Sequence, residues 1–220
     1  SDVCSSDLMS SESDAEKDVK VVIIGAVGVG KTSTVLRFIK DEYKSFLETT
    51  IGASYLCKTM KINDDRTLKF SVWDTAGQEQ YHAIVPLYFR GAAAILVMYD
   101  ITRAETFKDA QEWVKELDSQ APDDAIIAIC GNKSDLTDIR QVKFSTVEEY
   151  AYKINGIAIE CSAKAGKNIK ELFHEIGRLY LRKLDTEKAR QDNTKDKDEF
   201  ETTVDVTLSQ PDKDNRSCKC

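Results

Sequence analysis

Residues Gly25-Ala26-Val27-Gly28-Val29-Gly30-Lys31-Thr32 form the pattern G-x-x-x-x-G-K-[ST]. These residue types in this order suit the cradling of a phosphate chain. The glycines let the backbone wrap so that its N–H groups point at phosphate oxygens. The start of a helix behind them adds partial positive charge. Lys31 can reach the β- and γ-phosphates, and the Thr32 hydroxyl can serve a Mg²⁺ ion. The loop follows the β-branched run Val19–Ile24 and opens a helical stretch, which is the context that distinguishes it from an ordinary Gly-rich turn. Gly25, Val27, Gly28, Val29, Gly30, Lys31, Thr32 and Ser33 are therefore the expected phosphate-side residues. The loop alone does not select a nucleotide, since ATPases and nucleoside kinases share it.

Asn132-Lys133-Ser134-Asp135 follows another apolar run and offers a base-reading group. The Asp135 carboxylate can accept from guanine N1–H and the 2-amino group. Adenine supplies neither donor and would leave the carboxylate unpaired. The Lys133 stem can lie over the base. Cys161-Ser162-Ala163-Lys164 closes a later apolar run; there the Ala163 N–H could face guanine O6, with Ser162 and Lys164 nearby. Asp74-Thr75-Ala76-Gly77-Gln78-Glu79 places an acid at a strand end, suited to holding Mg²⁺ through water. The Gly77 N–H could meet a γ-phosphate, and Gln78 could orient an attacking water. Thr50, within Glu48-Thr49-Thr50-Ile51-Gly52, is the second hydroxyl expected on the metal, giving Thr32, Thr50 and Asp74 as the metal set.

These loops need a frame that brings them together. Strand-like runs are expected at Val19–Ile24, Tyr55–Ile62, Leu68–Trp73, Ala92–Asp100, Ala125–Cys130 and Ile157–Cys161. Helical patterns fall at about Lys31–Lys40, Glu105–Ser119, Thr146–Lys153 and Ile169–Leu184. The turn-forming Asn63-Asp64-Asp65 joins the second and third strands as a hairpin. From Asp100 strands and helices alternate, which predicts an α/β fold. Its six-stranded sheet is mostly parallel, with one antiparallel edge strand and helices on both faces. Ligands bind such sheets beyond the carboxyl ends of the strands, where every motif above falls.

The chain has 220 residues, 41% of them hydrophobic and 31% charged, with net charge -7. That balance fits one globular domain with tails and argues against a general nucleic-acid binder. The longest apolar stretch, Ala92–Tyr99, is far short of the roughly 20 residues a membrane-crossing helix needs. Residues 1–18 read as a disordered leader; within it Met9 is the expected initiator and residues 1–8 a non-native stretch without signal-peptide character. Residues 19–184 form the expected domain. Residues 185–220 are polar and charge-rich, which predicts a disordered tail. Cys57, Cys130 and Cys161 sit in apolar runs and read as reduced core thiols.

With these motifs in this order, residues Val19 to Leu184 resemble the Ras superfamily of small GTPases, and within it the Rab family. Ile51-Gly-Ala-Ser-Tyr55, the segment from Gln78 to Ala92, and Tyr99-Asp-Ile-Thr102 are similar to the early-endosomal Rab branch. The resemblance implies the P-loop GTPase fold and hydrolysis of GTP to GDP with Mg²⁺, with Gln78 and Lys31 as catalytic groups. It places Tyr43 on the guanine and makes Tyr55, Trp73 and Tyr88 an effector-reading surface. The implied partners are an exchange factor, a GTPase-activating protein, Rab escort and GDP-dissociation inhibitor proteins, and effectors. A monomer is implied, working between cytosol and the cytoplasmic face of endosomal membranes. Cys218-Lys219-Cys220 is similar to the C-x-C ending on which Rabs carry two geranylgeranyl groups. One departure is Val27, where the superfamily carries Gly or another small residue. A branched side chain there would crowd Gln78 and slow hydrolysis, making the chain a slow or GTP-locked module. A metabolic kinase with the same loop would need an Arg-rich lid, which the sequence lacks.

Overall fold

The computed structural model describes residues 17–77 and 85–201. Strand β1 (Lys17–Ile24) runs into a loop and helix α1 (Lys31–Lys40). Strands β2 (Ala53–Lys61) and β3 (Thr67–Thr75) form the hairpin. Short helix α2 (Val85–Phe89) precedes β4 (Ala94–Asp100) and α3 (Ala104–Gln120). Then come β5 (Ile126–Asn132), a 3₁₀ turn at Thr137–Ile139, α4 (Phe144–Lys153), β6 (Ile157–Glu160) and α5 (Ile169–Glu201).

The sheet order is β2-β3-β1-β4-β5-β6. Only β2 runs antiparallel to its neighbour; the remaining pairs are parallel. The expected fold class is therefore the observed one. Every residue of β4 is buried, as a central strand covered on both faces requires. The hairpin turn is tied by the Asn63 side chain, which accepts from the Arg66 N–H at 2.8 Å.

The two faces of the sheet are filled differently. On one, α1 and α5 meet through Phe38 and Phe173, stacked at 3.6 Å between ring centroids, with Phe70 edge-on to both. On the other, Phe107, Ala110, Trp113, Val114 and Leu117 of α3 pack on Val22, Ile95, Val97 and Tyr99. The three- and four-residue spacing of those α3 positions is what commits one helical face to the core. Covered on both sides, the central strands are fixed in register. Their carboxyl ends therefore hold the loops after β1, β3, β4, β5 and β6 along one edge, with Asp100 in register with Asn132.

Three sequence expectations need correction. Strand β1 starts at Lys17, inside the expected leader, because Lys17 and Asp18 extend the ladder against Leu68 and Lys69. Cys57 is exposed, since it lies on the outward side of edge strand β2; only Cys130 and Cys161 are core thiols. Finally, α5 continues through Glu201 where the composition suggested an unstructured tail from Asp185. Residues 185–190 are all exposed, so no core orders them. Glu187, Lys188, Ala189, Arg190 and Gln191 are strong helix formers, and neither Gly nor Pro intervenes between Gly177 and Pro211. A helix already nucleated propagates through such a run. The body ends at Tyr180, and the chain from Leu181 is a separate unit.

Candidate functional site

A cavity of about 450 Å³ opens along the carboxyl edge of the sheet. Among the predicted residues, Val27, Gly28, Gly30, Lys31, Thr32, Ser33, Tyr43, Thr50, Gly77, Asn132, Lys133, Asp135, Ala163 and Lys164 line it. Gly25, Val29 and Ser162 lie behind this lining and are buried, as is Asp74. Lys44, Ser45, Leu47, Thr75 and Leu136 also line the cavity and were not anticipated. Gln78, Cys218 and Cys220 lie outside the described residues.

The phosphate-loop end is built around a buried cation. Lys31 Nζ donates to the Gly25 carbonyl at 2.6 Å and the Ala26 carbonyl at 3.0 Å. Burial lowers its pKa to about 8, against the opposing pull of Asp74. The loop must pass close to its neighbours. A Cβ on Gly30 would lie 2.2 Å from Asn132 Nδ2, and one on Gly77 would lie 2.4 Å from Lys31 Nζ. No side chain caps the start of α1, and no acidic residue lies in its first turn. Its free N–H groups are thus available to an anion.

Beside Lys31 sits a set of hard oxygen donors. The Thr32 and Thr50 hydroxyls are 2.8 Å apart. The Asp74 carboxylate is fully buried, and among the described residues neither oxygen has a hydrogen-bond partner. Burial raises its pKa, opposed by the neighbouring Thr32 hydroxyl and by Lys31; the Thr32 hydroxyl stabilises the anion without the geometry of a formed bond. An orphaned buried carboxylate next to two hydroxyls fits a Mg²⁺ ion, which takes few protein ligands and completes its shell with phosphate and water. Among the described residues no group of three or more His, Cys, Asp or Glu could form an all-protein cage.

The lowered Lys31 pKa has a measurable consequence. A bound anion favours the ammonium form, so above a pH of about 8 binding must take up a proton. Affinity for a nucleoside diphosphate is expected to hold steady below that point and then fall by up to about tenfold per pH unit. Titrations with Mg²⁺ between about pH 7 and 9, repeated on Lys31→Met, check this. The variant should lack the Lys31-dependent part of the fall; identical slopes would refute it.

At the base end, Asn132 clamps two loops. Its Nδ2 donates to the Val29 carbonyl at 2.8 Å, and its Oδ1 accepts from the Ala163 N–H at 3.1 Å. The Ala163 N–H expected to face the base is thus engaged with Asn132, although Ala163 lines the cavity. Lys133 has a positive φ of 66°, and its Nζ sits 2.5 Å from Asp100 Oδ2. Asp135 is exposed, and its Oδ1 accepts from the Ser162 hydroxyl at 2.5 Å. That hydroxyl in turn accepts from the Ala165 N–H at 2.9 Å, which fixes the carboxylate's orientation. Arg37 supports the same loop from α1, donating to the Ala163 and Lys164 carbonyls at 2.9 and 3.2 Å. No local motif announces Arg37, and the Tyr99–Thr102 likeness assigns Asp100 no role; both act through space.

The predicted aromatic set lies outside the cavity. The Trp73 ring is 5.4 Å from both Tyr55 and Tyr88, and Lys20 Nζ is 5.3 Å from it. Tyr55 is 51% exposed, with Ile51 and Leu87 more exposed still. The aromatic trio therefore presents a contiguous, partly exposed surface.

Comparison with known proteins agrees with this geometry. The Ras family profile matches residues 20–182. Ras-related protein RABF2b of Arabidopsis thaliana is 45% identical over 170 residues, covering 77% of this chain and 84% of the relative. Ras-related protein Rab5A of Oryza sativa subsp. japonica is 46% identical over 165 residues, covering 75% and 81%. Ras-related protein Rab-31 of Homo sapiens is 45% identical over 164 residues, covering 74% and 84%. The cavity, the sheet that carries it and this breadth of similarity lead to one assignment: the chain belongs to the Ras family, is a Rab protein within it, and is a GTP hydrolase.

Proposed function

We propose that this chain cycles between a GTP-bound form that recruits effectors and a GDP-bound form that releases them, at endosomal membranes. The observation that carries the reading is the buried, unpartnered Asp74 carboxylate beside the Thr32–Thr50 hydroxyl pair. In this reading Lys31 and the free N–H groups of the loop bind the phosphates, while Asp135 accepts from the guanine. Tyr43, at the rim, covers the base. Thr32, Thr50 and Asp74 would hold Mg²⁺, and the metal, when bound, would neutralise charge on the phosphates. The Gly77 N–H meets the γ-phosphate and Gln78 orients water. Because Thr50 and Gly77 would feel the γ-phosphate, its loss would loosen the segments that carry them. Tyr55, Trp73 and Tyr88 would read out that change to effectors as aromatic anchors.

The accessory roles belong to the same proposal. An exchange factor, a GTPase-activating protein, an escort protein and a GDP-dissociation inhibitor would act on this chain. Membrane attachment would come from geranylgeranyl groups on Cys218 and Cys220. No helix among the described residues is long and apolar enough to cross a membrane.

Val27 gives a second reading. Its side chain lines the cavity and is 41% exposed, so its branched carbons stand in the space beside the phosphate loop. A side chain there would hinder the water-orienting group and an incoming arginine, leaving a slow hydrolase. The test follows the purified chain through one turnover with Mg²⁺ after identifying its copurified nucleotide. A guanine nucleotide and slow GTP decay are expected, with Val27→Ser faster by about tenfold, or about 1.4 kcal/mol in barrier. An adenine nucleotide would refute the first reading; Val27→Ser no faster than the parent, alone or with an activator, would refute the second.

A further inference from the structure

Arg103 stands at the start of α3 with its guanidinium in two places at once. Nη2 donates to the Val27 carbonyl of the phosphate loop at 3.0 Å, a contact between residues 76 apart in sequence. Nε donates to Asp100 Oδ2 at 3.3 Å, and the Arg103 backbone N–H donates to the Asp100 carbonyl at 3.0 Å. Asp100 is itself held fast. It is 1% exposed, and Oδ1 accepts from the Thr102 N–H at 2.9 Å and the Thr102 hydroxyl at 2.7 Å. Its Oδ2 also meets Lys133 at 2.5 Å, so one carboxylate oxygen faces a cation from the base-reading loop and another from α3. Burial alone would raise its pKa, but Lys133 and Thr102 outweigh burial and keep it below the ordinary carboxylate value.

The Val27 carbonyl and the Gly28 N–H belong to one peptide group. A cationic donor on the carbonyl draws electron density from that peptide and makes its N–H a stronger donor. It also fixes the plane in which the N–H points. Gly28 has a positive φ of 77°, and a Cβ there would lie 3.6 Å from Arg103 Nη2, so the guanidinium lies over this part of the loop. Gly77 approaches the adjacent Ala26 and the Lys31 tip, so this side of the loop faces the Lys31 ammonium group and the turn that carries Gly77. An ion pair with one partly exposed partner would contribute little on its own. The contact to a loop carbonyl gives this one a task.

We propose that Arg103 is a positioning residue for the nucleotide's terminal phosphates, anchored by Asp100 and acting through the Val27–Gly28 peptide. The inference rests on the reading of the cavity as a GTP and GDP site. Asp100, shared with Lys133, makes the same device a link between the phosphate loop and the base-reading loop.

The experiment compares the full chain with Arg103→Ala and Arg103→Lys in Mg²⁺. Affinities for GDP and GMP are measured by competition, and GTP hydrolysis in a single turnover at saturating GTP. Arg103→Ala is expected to weaken GDP about tenfold, leave GMP within about twofold and slow hydrolysis severalfold. Arg103→Lys, which can serve Val27 or Asp100 but not both, is expected to fall between Ala and the parent. Equal losses for GDP and GMP would overturn the proposal in favour of a general scaffold role. Unchanged GDP affinity and hydrolysis would reduce Arg103 to a rim ion pair and overturn it as well. A parent that binds no GDP would refute the reading of the cavity itself, an outcome distinct from both.

Discussion

Asp135→Ala is expected to lower GDP affinity by about 10³ and to bring GTP and ATP within about tenfold of one another. The carboxylate offers guanine two acceptors for two adjacent donors, N1–H and the 2-amino group. Hydrogen bonds to a charged group contribute about 1.5–3 kcal/mol each, so losing the pair costs about 4 kcal/mol, or about 10³ in affinity. Adenine turns a ring-nitrogen lone pair and a C–H toward the same place, and its rejection comes from leaving the carboxylate unpaired. The Ala variant removes that penalty, so selectivity should collapse even though both affinities become weak. The Ser162 hydroxyl at 2.5 Å holds Asp135 Oδ1 in place before any base arrives, so little ordering is left to do on binding. Competition titrations of GDP, GTP and ATP on parent and variant decide the matter. A variant that still prefers GTP by the parent's ratio would show that another group reads the base.

The groups behind this selectivity were legible to different degrees, and the difference is physical. A phosphate loop is a local object. Its glycines, Lys31 and Thr32 are neighbours in the chain, and strand and helix on either side complete the pattern. Asp74, Asp135 and Thr50 are single residues whose meaning came from order along the chain and from strand ends. What sequence could not show is how far-separated groups use one another. Asn132 reaches Val29 across 103 positions and Arg37 reaches Ala163 across 126. Asn132 read as a base-side residue, and only the folded chain reveals that both ends of its amide are committed to protein partners. Asp100 was legible as the end of a strand and as part of the Tyr99–Thr102 likeness, with no partner attached to it. Its burial with Thr102, Arg103 and Lys133 follows from the parallel register that sets β4 beside β5. The extension of α5 was missed for the opposite reason. Composition tells whether a segment can bury a core, and it does not tell whether an exposed helix can simply continue.

Lys31→Met is expected to move stability and binding in opposite directions. In the parent without nucleotide, the ammonium group is buried, donates to two carbonyls and is attracted by the Asp74 carboxylate. The fall of its pKa from 10.5 to about 8 corresponds to about 3 kcal/mol of penalty on the folded, nucleotide-free chain. The sign follows from linkage. The unfolded chain binds the proton more tightly, so the penalty is fully present below a pH of about 8 and relieved as pH rises toward 10.5. Met keeps the apolar stem and removes the charge; against that, the Gly25 and Ala26 carbonyls lose a donor and the buried Asp74 carboxylate loses a neighbouring cation, which returns part of the gain. The nucleotide-free variant should therefore match the parent's Tm or exceed it. GDP affinity should fall by about 10³, because the phosphates lose their buried counter-charge. Ligand binding stabilises a protein by RT ln(1 + [L]/Kd), about 4 kcal/mol at 1,000 Kd and about 0.4 kcal/mol at Kd. In excess GDP the order must then reverse, with the parent the more stable of the two. Thermal melts of both proteins, with and without GDP and Mg²⁺, provide all four values. A variant less stable than the parent in every condition would make Lys31 a strut of the loop; the crossing of the two series would show a cation held at a cost to the fold for the ligand it awaits.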